Sequence, residues 1–368
     1  MAGIYVHIPF CHRACPYCDF YFLTNVDRQD AYVEALVIEI KGRRAGVEEI
    51  ETVYFGGGTP SILSPKNLEK VVRQIRESYE VEPELEFTLE ANPEDLIPEK
   101  LKLWTELGVN RLSVGVQSTN PNRLELLGRN HSVQQAMEGI EAARSAGIER
   151  LNLDLIFATG RDESLAEELE QFIALKPSHI SAYGLTVEEG TPLARNVEKE
   201  RRSLVEEDEF GRQFKAIHES LVAAGYDHYE ISNYGLAGQR SLHNWSYWNG
   251  VPYLGFGPAA HSFDGTKRRW NEASLKDYLE NPSFEEEVLT ETDRFNEIIM
   301  TSLRQAKGLD LYRMEEEFPG SEDEIIEASE EFLQKGLIIR TWERLRLSLD
   351  GMLISDHICS KLFRENED

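Results

Sequence analysis

Six times between residues 4 and 182 a short run of β-forming residues gives way to a longer segment of helical periodicity, and no other feature restricts the fold as strongly. The runs fall at residues 4–7, 52–55, 86–89, 111–115, 151–155 and 179–182, with amphipathic stretches such as 31–44, 66–79, 133–146 and 165–175 between them. Alternation of this kind predicts an α/β fold, a parallel sheet with right-handed crossovers that is closed or partly closed into a barrel. In such sheets ligands gather at the carboxyl ends of the strands. There the sequence places a cysteine cluster after the first strand, Gly56-Gly57-Gly58-Thr59-Pro60 after the second and Glu90-Ala91-Asn92-Pro93 after the third. Gln117-Ser118 follows the fourth and Asp154 closes the fifth, so these polar and glycine features share one rim.

After about residue 200 the rhythm stops. Residues 204–224 read as a long helix, 226–270 as a Gly- and aromatic-rich stretch of hairpins and irregular loops, 291–335 as a Glu-rich helical segment, and 336–349 as a strand pair. This divides the chain into a barrel at 1–200, a linking helix and aromatic region at 201–285, and a C-terminal helical, winged-helix-like domain at 286–368.

Three of the four cysteines stand within eight residues, Cys11-His12-Arg13-Ala14-Cys15-Pro16-Tyr17-Cys18, and Cys359 lies almost at the other end. That distribution is no disulfide framework. Clustered thiols read as metal ligands or redox groups, whereas a lone cysteine reads as a small buried hydrophobe. The C-x3-C-x2-C spacing lets three thiolates wrap one inorganic centre; an iron-sulfur cluster normally takes four, so three leave one iron exchangeable. A zinc site completed by His7 or His12 satisfies the same spacing, and spacing does not separate the two.

The rest of the rim adds ligand chemistry. A Gly-rich turn lets backbone approach a zwitterionic amino-acid group, and a carboxylate at Glu90 or Asp154 suits an amine or a ribose hydroxyl. Each also has a plain structural reading: residues 56–58 as a tight turn, Glu90 as a surface charge, Asp154 as a helix N-cap.

Taken together, Ile4-Tyr5-Val6-His7-Ile8-Pro9-Phe10-Cys11, the cysteine loop, Phe55-Gly56-Gly57-Gly58-Thr59-Pro60-Ser61, Glu90-Ala91-Asn92-Pro93 and Gly115-Val116-Gln117-Ser118 resemble the radical S-adenosylmethionine family that includes the oxygen-independent coproporphyrinogen III oxidases. The resemblance covers nearly the whole chain. It implies a partial (β/α)6 TIM-like barrel of the radical S-adenosylmethionine type with a smaller α+β C-terminal domain. It implies a 4Fe-4S cluster on Cys11, Cys15 and Cys18, reduced by an electron donor. S-adenosylmethionine contacts are implied for Tyr5, Tyr17, Gly57, Gly58, Thr59, Glu90, Gln117, Arg129 and Asp154, and less directly for Gly184. In that family the cofactor supplies the radical chemistry and the barrel supplies orientation.

The chain departs from the oxidase pattern in two places. Oxidases carry a further cysteine two residues after the third, where this chain has Asp19-Phe20 after Cys18, and they begin with a longer segment than the ten residues before Cys11. Both departures match the HemW branch, and His243-Asn244-Trp245-Ser246-Tyr247-Trp248 resembles the HNxxYW signature of that branch. The resemblance thus implies a chaperone that binds heme and transfers it to acceptor hemoproteins, with His243 as the heme contact, since imidazole can ligate iron while flat rings pack on porphyrin. The alternative function is oxidative decarboxylation of coproporphyrinogen III; the structural alternative for His243 is a histidine in an aromatic core. His131, His179, His218, His228, His261 and His357 are expected mostly at the surface or in the core.

With 39 Lys plus Arg against 66 Asp plus Glu, the formal charge is -27, which repels phosphate backbones and anionic lipid, so no nucleic-acid partner is expected. Heme propionates then require local cations, for which Arg240, Lys267, Arg268 and Arg269 lie nearest in sequence. No apolar run approaches the roughly 20 residues that span a bilayer, and the first ten residues lack a signal-peptide pattern. The expected location is the cytoplasm.

Overall fold

The computed structural model describes residues 2–43, 49–160, 164–199 and 205–365; Arg44, Leu204 and the boundary expected at 200/201 lie outside the described residues. Six strands, β1 (Ala2–Ile8), β2 (Ile50–Gly57), β3 (Val81–Ala91), β4 (Arg111–Gln117), β5 (Arg150–Phe157) and β6 (His179–Gly184), adjoin in sequence order, each parallel to the next. They are the six runs read from the sequence, each continued one or two residues further toward the rim. Their polar ends stay extended because the ladder to a neighbour, not side-chain hydrophobicity, holds them there. The intervening helices return the chain along the outside. In Pro65–Ser78, for example, Ser64 accepts the Asn67 amide at 3.3 Å as an N-cap, and Leu68, Val71, Val72 and Ile75 recur on one buried face.

The barrel stays open, and later segments extend both edges of its sheet. Helix Glu207–Ala223 leads into the hairpin of β7 (Asp227–Glu230) and β8 (Asn233–Gly235), which pairs antiparallel with β6. Helix Leu242–Trp248 then carries the chain to the far edge, where β9 (Tyr253–Phe256) runs parallel to β1. The strands β10 (His261–Phe263), β11 (Lys267–Asn271) and β12 (Phe284–Val288) follow as an antiparallel meander. The described residues thus form one twelve-stranded sheet, ordered β12-β11-β10-β9-β1-β2-β3-β4-β5-β6-β8-β7. Residues 226–270 are therefore more regular than the sequence suggests. Strands of three to five residues are too short to display a period, and pairing with β1 and β6 orders them.

The C-terminal unit is a smaller α+β body. Helices Glu291–Leu303, Leu311–Glu317, Ser321–Gln334 and Ser355–Leu362 pack on a sheet of β13 (Leu309–Asp310), β14 (Ile338–Arg340) and β15 (Arg344–Leu347), ordered β13-β15-β14. Its core, which includes Phe295, Ile299, Leu303, Met314, Phe332 and Ile358, is distinct from that of the barrel. Cys359 belongs to it at 3% exposure, as a lone cysteine should. Among the described residues no helix is long and apolar enough to cross a membrane.

Candidate functional site at the barrel rim

The cysteine loop leaves β1 and is closed at its base by backbone bonds from Leu23 to Pro9 (2.7 Å) and from Cys11 to Leu23 (2.9 Å). A second strap comes from the glycine turn after β2, where the amides of Gly58 and Thr59 donate to the carbonyls of Ile8 (2.8 Å) and Phe10 (2.7 Å). This contact is why glycine is required: a Cβ on Gly58 would lie 2.7 Å from the Phe10 oxygen, and Gly57, at φ 102°, would press a Cβ to 2.6 Å from the His7 ring.

Cys11, Cys15 and Cys18 open onto a cavity of about 430 Å³ at the carboxyl ends of the strands. Thr59 Oγ1 donates to Cys11 Sγ at 3.5 Å, and Arg129 Nη1 to Cys15 Sγ at 3.6 Å. Burial raises the Cys11 thiol above its usual range and pushes Cys18 up to about 11. Without an electrophilic centre these two sulfurs stay protonated.

Alternate residues of the strands supply the floor and walls: Arg111, Ser113, Gly115 and Gln117 on β4, Asn152, Asp154 and Ile156 on β5, Ser181 and Tyr183 on β6. Gln117 holds φ 66°, a left-handed conformation disfavoured for a residue with a Cβ, at the point where β4 turns over the rim. Its Oε1, Arg129 Nε and Arg111 Nη2 are buried without a protein partner. Unpaired buried polar atoms converging on one cavity are costly unless a polar ligand meets them. Glu90 accepts from the Tyr54 hydroxyl at 2.8 Å, and burial pushes its carboxyl up to about 7. Asp154 accepts from Asn152 at 2.7 Å and Ser113 at 3.4 Å, and burial pushes it up to about 6. A cation in the cavity would hold both ionised.

Of the residues expected to contact S-adenosylmethionine, Tyr17, Gly57, Gly58, Thr59, Glu90, Gln117, Arg129 and Asp154 line this cavity, as does Gly184. Tyr5 does not. Its ring lies beside the Tyr54–His243 stack, 6.1 Å from Tyr54 and 6.5 Å from His243, and its hydroxyl meets His7 Nδ1 at 3.3 Å. The zinc alternative requires a histidine beside the thiols, yet His7 Nε2 is 2.9 Å from the Tyr21 carbonyl and His12 Nε2 is 3.2 Å from both oxygens of Asp95. Among the described residues no three His, Cys, Asp or Glu side chains are placed to hold a single metal ion. Arg111, Tyr54, Asn152, Ser181 and Tyr183 escaped sequence reasoning. Their signal was polar residues at every second position of otherwise apolar strands, which marks an inward face.

The structure places His243, the residue expected to contact heme, inside the sheet. Its side chain is 1% exposed and absent from the cavity lining, with Nδ1 2.8 Å from Thr52 Oγ1 and Nε2 2.8 Å from the Tyr247 hydroxyl. Burial, with Arg111 nearby, lowers its pKa to about 3, so the ring is neutral. Both nitrogens are engaged within the protein. The motif's Asn244 reaches the cavity instead. Of the other histidines, His131, His179 and His228 are buried, while His261 is exposed and stacks on Trp270 at 5.9 Å.

Residues 5–175 match the model of the radical SAM superfamily and residues 289–354 that of the HemN C-terminal domain. The chain is 33% identical over 370 residues to the heme chaperone HemW of Lactococcus lactis, covering 98% of this chain and 97% of that protein. It is likewise 33% identical over 372 residues to the heme chaperone HemW of Bacillus subtilis, covering 97% and 98%. Coproporphyrinogen III oxidase (HemN) from Escherichia coli superimposes with a TM-score of 0.85 at 22% identity, over 98% of this chain and 90% of that one, which is a likeness of fold. By descent as well as by architecture, then, the chain belongs to the HemW family of radical S-adenosylmethionine proteins, related to the oxygen-independent coproporphyrinogen III oxidases.

Proposed function

We propose that this protein is a heme chaperone, which binds heme and passes it to acceptor hemoproteins, and that its rim cavity holds a 4Fe-4S cluster together with S-adenosylmethionine. The observation that carries the reading is the 33% identity to a HemW heme chaperone across 98% of the chain. Phe20 supports it: the position at which an oxidase has another cysteine carries a side chain 66% exposed that lines the cavity.

When bound, the cluster supplies the electron with which this family cleaves the sulfonium of S-adenosylmethionine. The chain's own residues do the holding. Cys11, Cys15 and Cys18 would hold the cluster, and Thr59 and Arg129 donate to two of those sulfurs, which would stabilise them as thiolates. Glu90 and Asp154 offer carboxylates to the ammonium and ribose groups, Gly57 and Gly58 admit the amino-acid portion close to backbone, and Gln117 and Arg129 bring their unpaired atoms to its polar groups. That electron would come from a donor outside this chain.

Anaerobic reconstitution with iron and sulfide, followed by absorption and EPR spectroscopy, should give a cluster that is lost in Cys15→Ala and kept in Cys359→Ser. Heme-loaded protein should then transfer heme to an apo-hemoprotein, with and without the cluster compared. Absence of heme binding, or conversion of coproporphyrinogen III to its decarboxylated product under reducing conditions, overturns the chaperone reading.

A further inference from the structure

His243 lies buried with both ring nitrogens bonded, and the anionic heme propionates need cations beyond that position. The cations nearest in sequence are mostly committed: Arg240 pairs with Asp227, Lys267 with Glu286 at 2.9 Å, and the Arg269 guanidinium lies 3.5 Å over the Phe284 ring. Arg268 is paired too, with Glu297, but it also lines a second cavity, about 320 Å³, in the seam between the outer strands of the large sheet and the C-terminal unit.

One wall of this cleft is aromatic, built from Tyr247 and Trp248 at the end of the HNxxYW helix with Tyr253 and Phe263 from β9 and β10. Ile298 and Met300 come from helix Glu291–Leu303. Aromatic rings and aliphatic groups lining one cleft suit a large apolar, aromatic ligand. The indole nitrogen of Trp248 is buried and donates to no protein acceptor.

Charge narrows the occupant further. Four cations, Arg268, Arg294, Lys307 and Arg313, line the cleft against two carboxylates, Glu297 and Glu317, in a chain whose net charge is -27. Arg268 pairs with Glu297 at 2.7 Å, and Arg294 and Arg313 share Glu317 at 3.4 and 2.7 Å. Lys307 bonds the neutral Asn249 amide oxygen, and burial together with Arg344, Arg313 and Arg240 lowers its pKa despite Asp310. A local excess of two positive charges is complementary to a dicarboxylate. Met300 completes the set: it is 39% exposed, in a position where an apolar side chain gains nothing from water, and it is the sulfur donor in the lining. A thioether is an established kind of axial ligand for heme iron.

We propose that heme docks in this seam, with its iron facing the Met300 thioether and its propionates on Lys307 and the Arg294–Arg313 pair. The proposal rests on the heme-chaperone reading and adds the site to it. A seam between two separate cores also suits a carrier, because parting the two units releases the ligand without unfolding either.

Hemin titration of the full-length protein, followed through the Soret band, tests this. Met300→Leu should shift the spectrum and weaken binding about tenfold, Met300→His should restore affinity with a changed spectrum, and Lys307→Glu combined with Arg313→Glu should weaken binding by about tenfold to a hundredfold. All three positions are exposed or nearly so, and circular dichroism identical to wild type verifies the fold. If the wild type binds hemin and the variants match its affinity and spectrum, the seam is not the heme site although the chaperone reading stands. If the wild type binds no hemin, that reading fails and this inference with it.

Discussion

Glu90 and Asp154 carry the most informative chemistry at the scale of single residues. Burial lifts them from ordinary values of 4.5 and 3.8 to about 7 and about 6. A carboxyl whose folded value exceeds its unfolded one contributes stability that is complete below the unfolded value and lost as pH rises through the folded one. For these two groups the window runs from about pH 4 to 7. A bound cation has the opposite preference, because it interacts with the ionised form. The unliganded protein should therefore lose stability as pH rises through this window while its affinity for S-adenosylmethionine increases. Glu90→Gln should flatten both trends and weaken binding about tenfold or more, read by calorimetry across the window; a wild-type affinity indifferent to pH would refute the role. The sequence already singled out both carboxylates, because each interrupts or closes a β-forming run. It did not single out Arg111, Ser113 or Asn152, which sit inside strands, where alternation marks a distinct face but only the curvature of the sheet makes that face line a ligand cavity.

The informative element is helix Leu242–Trp248. Ser241 caps it by accepting the Asn244 amide at 3.3 Å, and buried Glu86 accepts the amides of Leu242 (3.2 Å) and His243 (3.1 Å). Residues four apart share a face, and so His243 and Tyr247 meet each other beside Thr52. His243 is thus a fastener between the helix and β2. His243→Ala removes two buried hydrogen bonds and leaves a void, and should cost about 2–4 kcal/mol in chemical denaturation. The heme spectrum of the folded variant should remain that of the wild type. A changed heme spectrum without loss of stability would establish His243 as a heme contact. The motif was visible in sequence as a histidine among rings, but its orientation was not, because a seven-residue helix is too short to show which face turns inward, and Thr52 and Glu86, 191 and 156 residues upstream of their partners, select it.

For the whole molecule, the rim cavity and the seam cleft share no lining residue among those described, yet one short helix touches both, through Asn244 on one side and Tyr247 and Trp248 on the other. Heme and S-adenosylmethionine should accordingly bind together and not compete; saturating either should leave the stoichiometry of the other unchanged in isothermal titration. Displacement of one by the other would place both in a single site. The sequence by itself determined the six βα units, the strand ends that carry the cysteines, glycines and carboxylates, and the separate C-terminal unit, because periodicity and residue type are local properties that a parallel sheet converts directly into a rim. Tertiary structure alone decided that β9 lies beside β1, that His243 faces inward, and that Met300, Lys307 and Trp248 line one cleft. These contacts join segments far apart in the chain, through short strands and single side chains whose local sequence has no period, so packing fixes them and propensity does not.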